Sequence, residues 1–245
     1  MVDFQIASDL HFDVNKRGFY PTAKAPVLML VGDVCSAADK RFKTIMQRIA
    51  EPYEAVLYVP GNHDYWGCSS INEGDWLMQQ QCAQTANVVY MNEKCIVLRG
   101  MAYVGATLWT NLWGNVSADM MNDFSRIGGN FNIAKMREIH YRQTDFIEQS
   151  LVERYQDGCV GAVVLTHHAP LLQLSAKASS RSKEWDPFYY CTDINGTNFV
   201  QVWVHGHTHE SYTTKVRGYN TIYTTNAYGY PDEPYMYKNT VFRIK

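Results

Sequence analysis

The chain has 245 residues, 46% of them hydrophobic and 19% charged, which is enough apolar material for a sizeable core and too little net charge for a disordered polymer. A formal net charge of −2 leaves no overall basic footprint, so strong nucleic-acid binding is not expected. No run of about 18 apolar residues occurs, and Asp3 stands where a signal peptide would carry positive charge, so neither a membrane span nor a secretory leader is expected.

The expected organisation is a single domain over residues 1–245, soluble and cytoplasmic. In chain order, Val2 to Ala7 is a β-rich run that ends at Ser8-Asp9-Leu10-His11. Val27 to Val31 is wholly apolar and ends at Gly32-Asp33. Ala37 to Ala50 has helical spacing, with Phe42, Ile45, Met46 and Ile49 on one face. Ala55 to Val59 is another apolar run, closed by Pro60-Gly61-Asn62-His63-Asp64, and Trp76 to Gln84 reads as a second helix. Lys94 to Leu98 and Met101 to Ala106 form a hairpin pattern, and Ile133 to Tyr155 a long amphipathic helix. Strands resume at Val160 to Leu165, before Thr166-His167-His168, and at Val200 to Val204, before His205-Gly206-His207-Thr208-His209. Runs near Thr213 to Val216, Thr221 to Thr225 and Thr240 to Ile244 close the chain. The βαβα alternation predicts an α/β fold with parallel strands, two packed sheets and flanking helices, and functional groups at the carboxyl ends of the strands.

Five apolar strands each end in Asp, His or Asn: Asp9-x-His11, Gly32-Asp33, Gly61-Asn62-His63-Asp64, His167-His168 and Gly206-His207-x-His209. Carboxylate, imidazole and amide oxygen suit divalent cations, and the lack of thiolate in the set argues against a purely structural zinc site. The six cysteines include no Cys-x-x-Cys pair and read as free thiols of a reducing compartment. A dinuclear site fits the polar set: one carboxylate can bridge cations about 3.5–4 Å apart, and a hydroxide held between them is a nucleophile for phosphorus at neutral pH.

The ordered motifs resemble the calcineurin-like metallophosphoesterase family, whose D-x-H, G-D, G-N-H-D/E, H and G-H-x-H pattern is complete here and spans nearly the whole chain. The stretches Thr107-Leu108-Trp109-Thr110, Met121 to Ile127, Thr166 to Pro170 and Val204 to Ser211 are similar to a small, mainly bacterial branch that also occurs in phages. The resemblance implies a four-layer α-β-β-α sandwich with two mixed sheets. It also implies two divalent metal ions, with manganese the first choice and iron, zinc, nickel or cobalt as alternatives. By the same resemblance Asp9, His11 and His209 hold one ion, Asn62, His167 and His207 the other, and Asp33 bridges them. His63 is similar to the family's free histidine, which protonates the leaving group, and Asp64 would orient or polarise its imidazole. The implied function is hydrolysis of a small phosphomonoester or phosphodiester, nucleotide-like esters included. The alternative is a metal-binding scaffold or regulatory module that keeps the fold without the catalysis.

Several residues stay open at the level of sequence. His167 is favoured over His168 because it directly follows the strand, and His205 reads as a residue that orients a ligand. His140 reads as a packing residue of the long helix. Asp13, Asp119 and Asp123 suit either the cleft or, more commonly, solvated turns, with an Asp123–Arg126 ion pair favoured over phosphate contact by Arg126. Arg126, Arg181 and Lys183 are the candidate phosphate-facing cations. Tyr65 and Trp66 suit either an aromatic wall or ordinary packing, and the Tyr219 to Tyr237 segment reads mainly as packing.

Overall fold

The computed structural model describes residues 2–15, 18–113, 117–174, 187–194 and 198–244. Its first sheet runs in the order β11-β1-β2-β3-β4 and its second β5-β6-β7-β8-β10-β9. The first comprises β1 (Val2–Ala7), β2 (Val27–Val31), β3 (Ala55–Val59) and β4 (Val88–Tyr90), all parallel, with β11 (Phe242–Ile244) antiparallel at the edge of β1. The second comprises β5 (Lys94–Leu98), β6 (Met101–Ala106), β7 (Gly161–Thr166), β8 (Val200–His205), β9 (Ser211–Lys215) and β10 (Ile222–Asn226). Within it β6, β7, β8 and β10 are parallel, and β5 and β9 flank them antiparallel.

Strand periodicity sorts the apolar residues into layers. Phe4, Ile6, Met29, Val31, Leu57 and Val59 of the first sheet meet Tyr103, Val163, Leu165, Val202 and Val204 of the second in one buried core. The opposite face of the first sheet, with Leu28, Leu30, Val56 and Tyr58, packs on α1 (Phe42–Ala50) and α2 (Ile71–Cys82) through Ile45, Ile49, Met78 and Cys82. The outer face of the second sheet, with Val104, Val164 and Trp203, takes Ile147 and Leu151 of the long helix over Ile133–Gln156. The sandwich is therefore helix, sheet, sheet, helix, as the sequence implied. No helix among the described residues is long and apolar enough to cross a membrane.

The β5–β6 hairpin turns on Arg99 and Gly100, both at positive φ (53° and 78°), the type I′ geometry that matches strand twist. Most strand ends shift by one or two residues from the sequence reading, while two helix starts and one strand depart further. Helix α1 begins at Phe42 instead of Ala37, because Ala37 N is tied to Asp64 O at 2.7 Å and Asp39 binds Arg41 in a turn. Helix α2 begins at Ile71, five residues before Trp76: Ser70 accepts from Glu73 N (3.1 Å) and Glu73 accepts from Ser69 N, a capping arrangement that apolar spacing does not report. Strand β4 is too short, at 3 residues, to announce itself by alternation.

Candidate functional site

All five motif loops open at the carboxyl ends of β1, β2, β3, β7 and β8, so the packing of the two sheets brings the loops together. The backbone is unusual there. Asp9, His11, Asp33, His207 and His209 all have φ between 48° and 65°, a left-handed conformation that costs a non-glycine residue roughly 1–2 kcal/mol. Gly32 and Gly61 let the loops touch: a Cβ on Gly32 would strike His167 Nδ1, and one on Gly61 would strike Asp33 and His167. Asp9 accepts from His207 N (3.1 Å) and from the Ser8 hydroxyl, which fixes its carboxylate between the first and last motif loops.

Among the described residues three clusters of donor atoms result, one of His11, Asp13 and His63 and two that share Asp33. Of these two, Asp9, His11, Asp33 and His209 form one, and Asp33, His167 and His207 the other, each with its ligand-type atoms within 4.8 Å of one another. In the first, His11 Nε2 lies 3.0 Å from His209 Nε2 and 3.7 Å from Asp33 Oδ2, while His209 Nε2 lies 3.5 Å from Asp9 Oδ1. In the second, His167 Nε2 lies 3.3 Å from Asp33 Oδ1 and 3.1 Å from Asn62 Oδ1. Nitrogen and oxygen donors turned toward a common point, with no thiolate among them, fit a divalent cation in each of the two. The outer atoms of the imidazoles are held too, His167 Nδ1 at 2.9 Å from Val31 O and His209 Nδ1 at 2.6 Å from Glu233 Oε2.

Charge follows this geometry. Burial alone would raise the Asp33 carboxyl, but His167, His63 and His11 outweigh it and hold it well below its usual range, so it stays ionised. Burial would lower His167, yet the Asp33 carboxylate lifts it to about 9. Burial, reinforced by the neighbouring His168 and His167, pushes His207 well below the usual imidazole range into its neutral, ligating form.

His63 stands beside the pair that shares Asp33. Its ring nitrogens face Asp13 Oδ2 (Nδ1, 2.9 Å) and the Tyr230 hydroxyl (Nε2, 3.1 Å), and its face stacks on Trp66 with centroids 3.4 Å apart. Burial would lower its pKa, but Asp33 and Asp13 raise it above the ordinary value, which favours the proton-carrying form. The expected Asp64–His63 pairing is corrected: Asp64 is fully buried under the loops and accepts from Asp33 N, Val34 N, Cys35 N, Gly61 N and the Tyr58 hydroxyl at 2.8–3.0 Å. Its five donors leave the carboxylate no reach to the imidazole, and Asp13 takes that place.

Other readings are settled by position. Asp123 spends its carboxylate on Asn62 Nδ2 (2.9 Å) and Trp66 Nε1 (2.8 Å) instead of on Arg126, whose guanidinium lies 5.6 Å above the Trp66 ring. Asp119 is exposed. Arg181 and Lys183 lie outside the described residues. Tyr65 is buried and bonds Asp75 (2.7 Å), so Trp66 alone of that pair lines the cleft. His140 packs with Nδ1 2.7 Å from Trp109 O, His168 lies with Nδ1 3.3 Å from Thr107 O, and His205 Nε2 faces the Tyr212 hydroxyl at 3.2 Å. All six cysteines are free. The sequence reading ranked Asp13 as a loop carboxylate and the tail that holds Tyr230 as packing, each over a place in the site, and gave Glu233 no role. Asp13 had a local signal, its place two residues past His11, whereas Glu233 and Tyr230 reach the site only because the Tyr-rich tail folds back over it.

A cleft of about 440 Å³ opens over these groups, lined by Asn62, His63, Trp66, Tyr190, His209 and Tyr230 among others. A calcineurin-like phosphoesterase family model matches residues 6–211, and the chain belongs to that family. An uncharacterised protein of Acanthamoeba polyphaga mimivirus is 28% identical over 237 residues, covering 86% of this chain and 82% of that one. The crystal structure of phosphopantetheinyl hydrolase from Mycobacterium tuberculosis is similar in fold, with a TM-score of 0.67 at 20% identity, over 93% of this chain and 89% of that one.

Proposed function

We propose that the chain is a dinuclear metal-dependent phosphoesterase that hydrolyses small phosphomonoesters or phosphodiesters. The observation that carries this reading is the pair of donor clusters sharing Asp33 with His63 beside them. Asp9, His11 and His209 would hold one divalent ion, and Asn62, His167 and His207 the other, with Asp33 between them. Manganese is the first choice, and iron, zinc, nickel and cobalt suit the same donors. When bound, such ions neutralise phosphoryl oxygens and supply hydroxide from water near neutral pH.

The protein's own groups account for the rest of the reaction. Hydrolysis adds a water oxygen to phosphorus and breaks the ester P–O bond, and the alcohol departs with a proton. His63 would deliver that proton from Nε2, the atom that faces the Tyr230 hydroxyl, with Asp13 on Nδ1 and the Trp66 ring against its face in support of the role. Asp64 acts one step back, bracing the loops that carry Asp33 and Asn62 through the amides it accepts from. Asp33 also accepts from His63 N at 2.9 Å, which ties the proton donor to the shared carboxylate. The test is a leaving-group series of aryl phosphates: His63→Ala should lose rate by about 10²–10⁴-fold on poor leaving groups and far less on good ones. A uniform loss across the series removes the acid role from His63.

A further inference from the structure

We infer that Asp123 is a positioning residue that sets both the ligand atom offered by Asn62 and the ring plane of His63. The inference rests on the two-ion reading above and names a residue to which that reading gives no role.

Asp123 opens α3 (Asp123–Arg126) and is only 4% exposed. A carboxylate is costly to bury unless its oxygens are bonded, and the two donors on Oδ1 are both neutral: Asn62 Nδ2 at 2.9 Å and Trp66 Nε1 at 2.8 Å. Each donor belongs to a residue with a choice to make. The Asn62 amide can turn either face to the second cluster, and only its oxygen suits a cation. With Nδ2 engaged by Asp123, Oδ1 is the atom left facing His167 Nε2, 3.1 Å away. A turned-over amide would set its NH₂ against the cation and forfeit the bond to Asp123.

Trp66 makes the second choice. Its indole N–H is held by the same oxygen, and in that orientation its ring lies against the His63 imidazole, 26° from parallel. His63 is then gripped on its face by Trp66 and on its edge by Asp13. One buried oxygen from a short helix outside the five motif loops thus aligns a cation ligand and the proton donor together. The substitution Asp123→Ala removes both bonds, whereas Asp123→Asn can place its amide oxygen where Oδ1 stands and keep them.

The test is calorimetric titration of Mn²⁺ into metal-stripped full-length protein, paired with the aryl phosphate series, for wild type, Asp123→Ala, Asp123→Asn, Asn62→Ala and the Asp123→Ala/Asn62→Ala double variant. We expect wild type to take up two ions. Asp123→Ala should weaken by about 10- to 100-fold the one ion that Asn62→Ala also weakens, spare the other, and steepen the leaving-group dependence. Asp123→Asn should restore most of that affinity, and the double variant should be no weaker at that ion than Asn62→Ala alone. The inference is overturned if Asp123→Ala binds both ions as wild type does, if both affinities fall together with the melting temperature, if Asp123→Asn is as damaged as Asp123→Ala, or if the two single losses add. Uptake of fewer than two ions by wild type defeats the two-ion reading itself and this inference with it, a failure visible before any variant is compared.

Discussion

Asp13 and Asp64 show how the same side chain takes opposite tasks from its surroundings. Asp64 is sealed among five donors and serves the backbone, while Asp13, on a loop 50 residues before His63, carries the charge that faces the imidazole. Burial alone would raise the Asp13 carboxyl, but the His11 imidazole 3.6 Å away and the hydrogen bond to His63 outweigh it and hold the group below its ordinary 3.8. His63 is shifted the other way, above its ordinary 6.5. A depressed carboxyl contributes stability above 3.8 that is lost as pH falls through its folded value, and a raised imidazole contributes below 6.5 stability that is lost as pH rises through its folded value. The two contributions overlap from 3.8 to 6.5. In metal-free protein, Asp13→Ala should therefore cost about 1 kcal/mol in that window, water screening a side chain open on one side, and less above it, read by denaturant unfolding at several pH values. A cost that does not vary with pH contradicts the pairing.

At the scale of elements, the site is a set of strand ends forced into uncommon backbone conformations and packed against glycines. The Gly61→Ala variant places a methyl group on Asp33 and His167, so it should lose ion uptake and destabilise the chain by about 1–3 kcal/mol. Gly100, at φ 78° with nothing within 4 Å of the place a methyl group would take, is the control: Gly100→Ala should cost about 1–2 kcal/mol and leave ion uptake as it was. Equal ion uptake by the two variants would show that close packing at Gly61 does not matter to the site. Strands β2, β3, β7 and β8 were legible in the sequence because each is a nearly continuous apolar run closed by polar motif residues, and the long helix because its apolar residues recur at helical spacing. The start of α2 was legible only through the Ser70–Glu73 cap, and β4 had too few residues for any period to show.

At the scale of the whole molecule, contacts such as His11 to His209, 198 residues apart, exist because two sheets share one core. The order of the five motifs pointed to the residues that gather in the two clusters sharing Asp33, since each motif ends an apolar run. It did not reveal what supports them: Asp123 reaches Asn62 across 61 residues and Glu233 reaches His209 from the tail, and no local pattern records such contacts. The shared core should also separate stability from chemistry. Met29→Ala, fully buried between the sheets, should cost about 2–5 kcal/mol in denaturant unfolding while ion stoichiometry in the cold stays at the wild-type value.

Metal-dependent hydrolysis is decided by stripping the protein of metal, reconstituting it separately with Mn, Ni, Zn and Fe, and following cleavage of paired aryl phosphate monoester and diester substrates, with Asp33→Asn alongside. Activity should return only with metal, and Asp33→Asn, still folded by circular dichroism, should fall by several orders of magnitude because the shared carboxylate charge is gone. A metal-loaded Asp33→Asn protein as active as wild type, or wild type that binds two ions and cleaves neither ester with any metal, would contradict the proposed reaction.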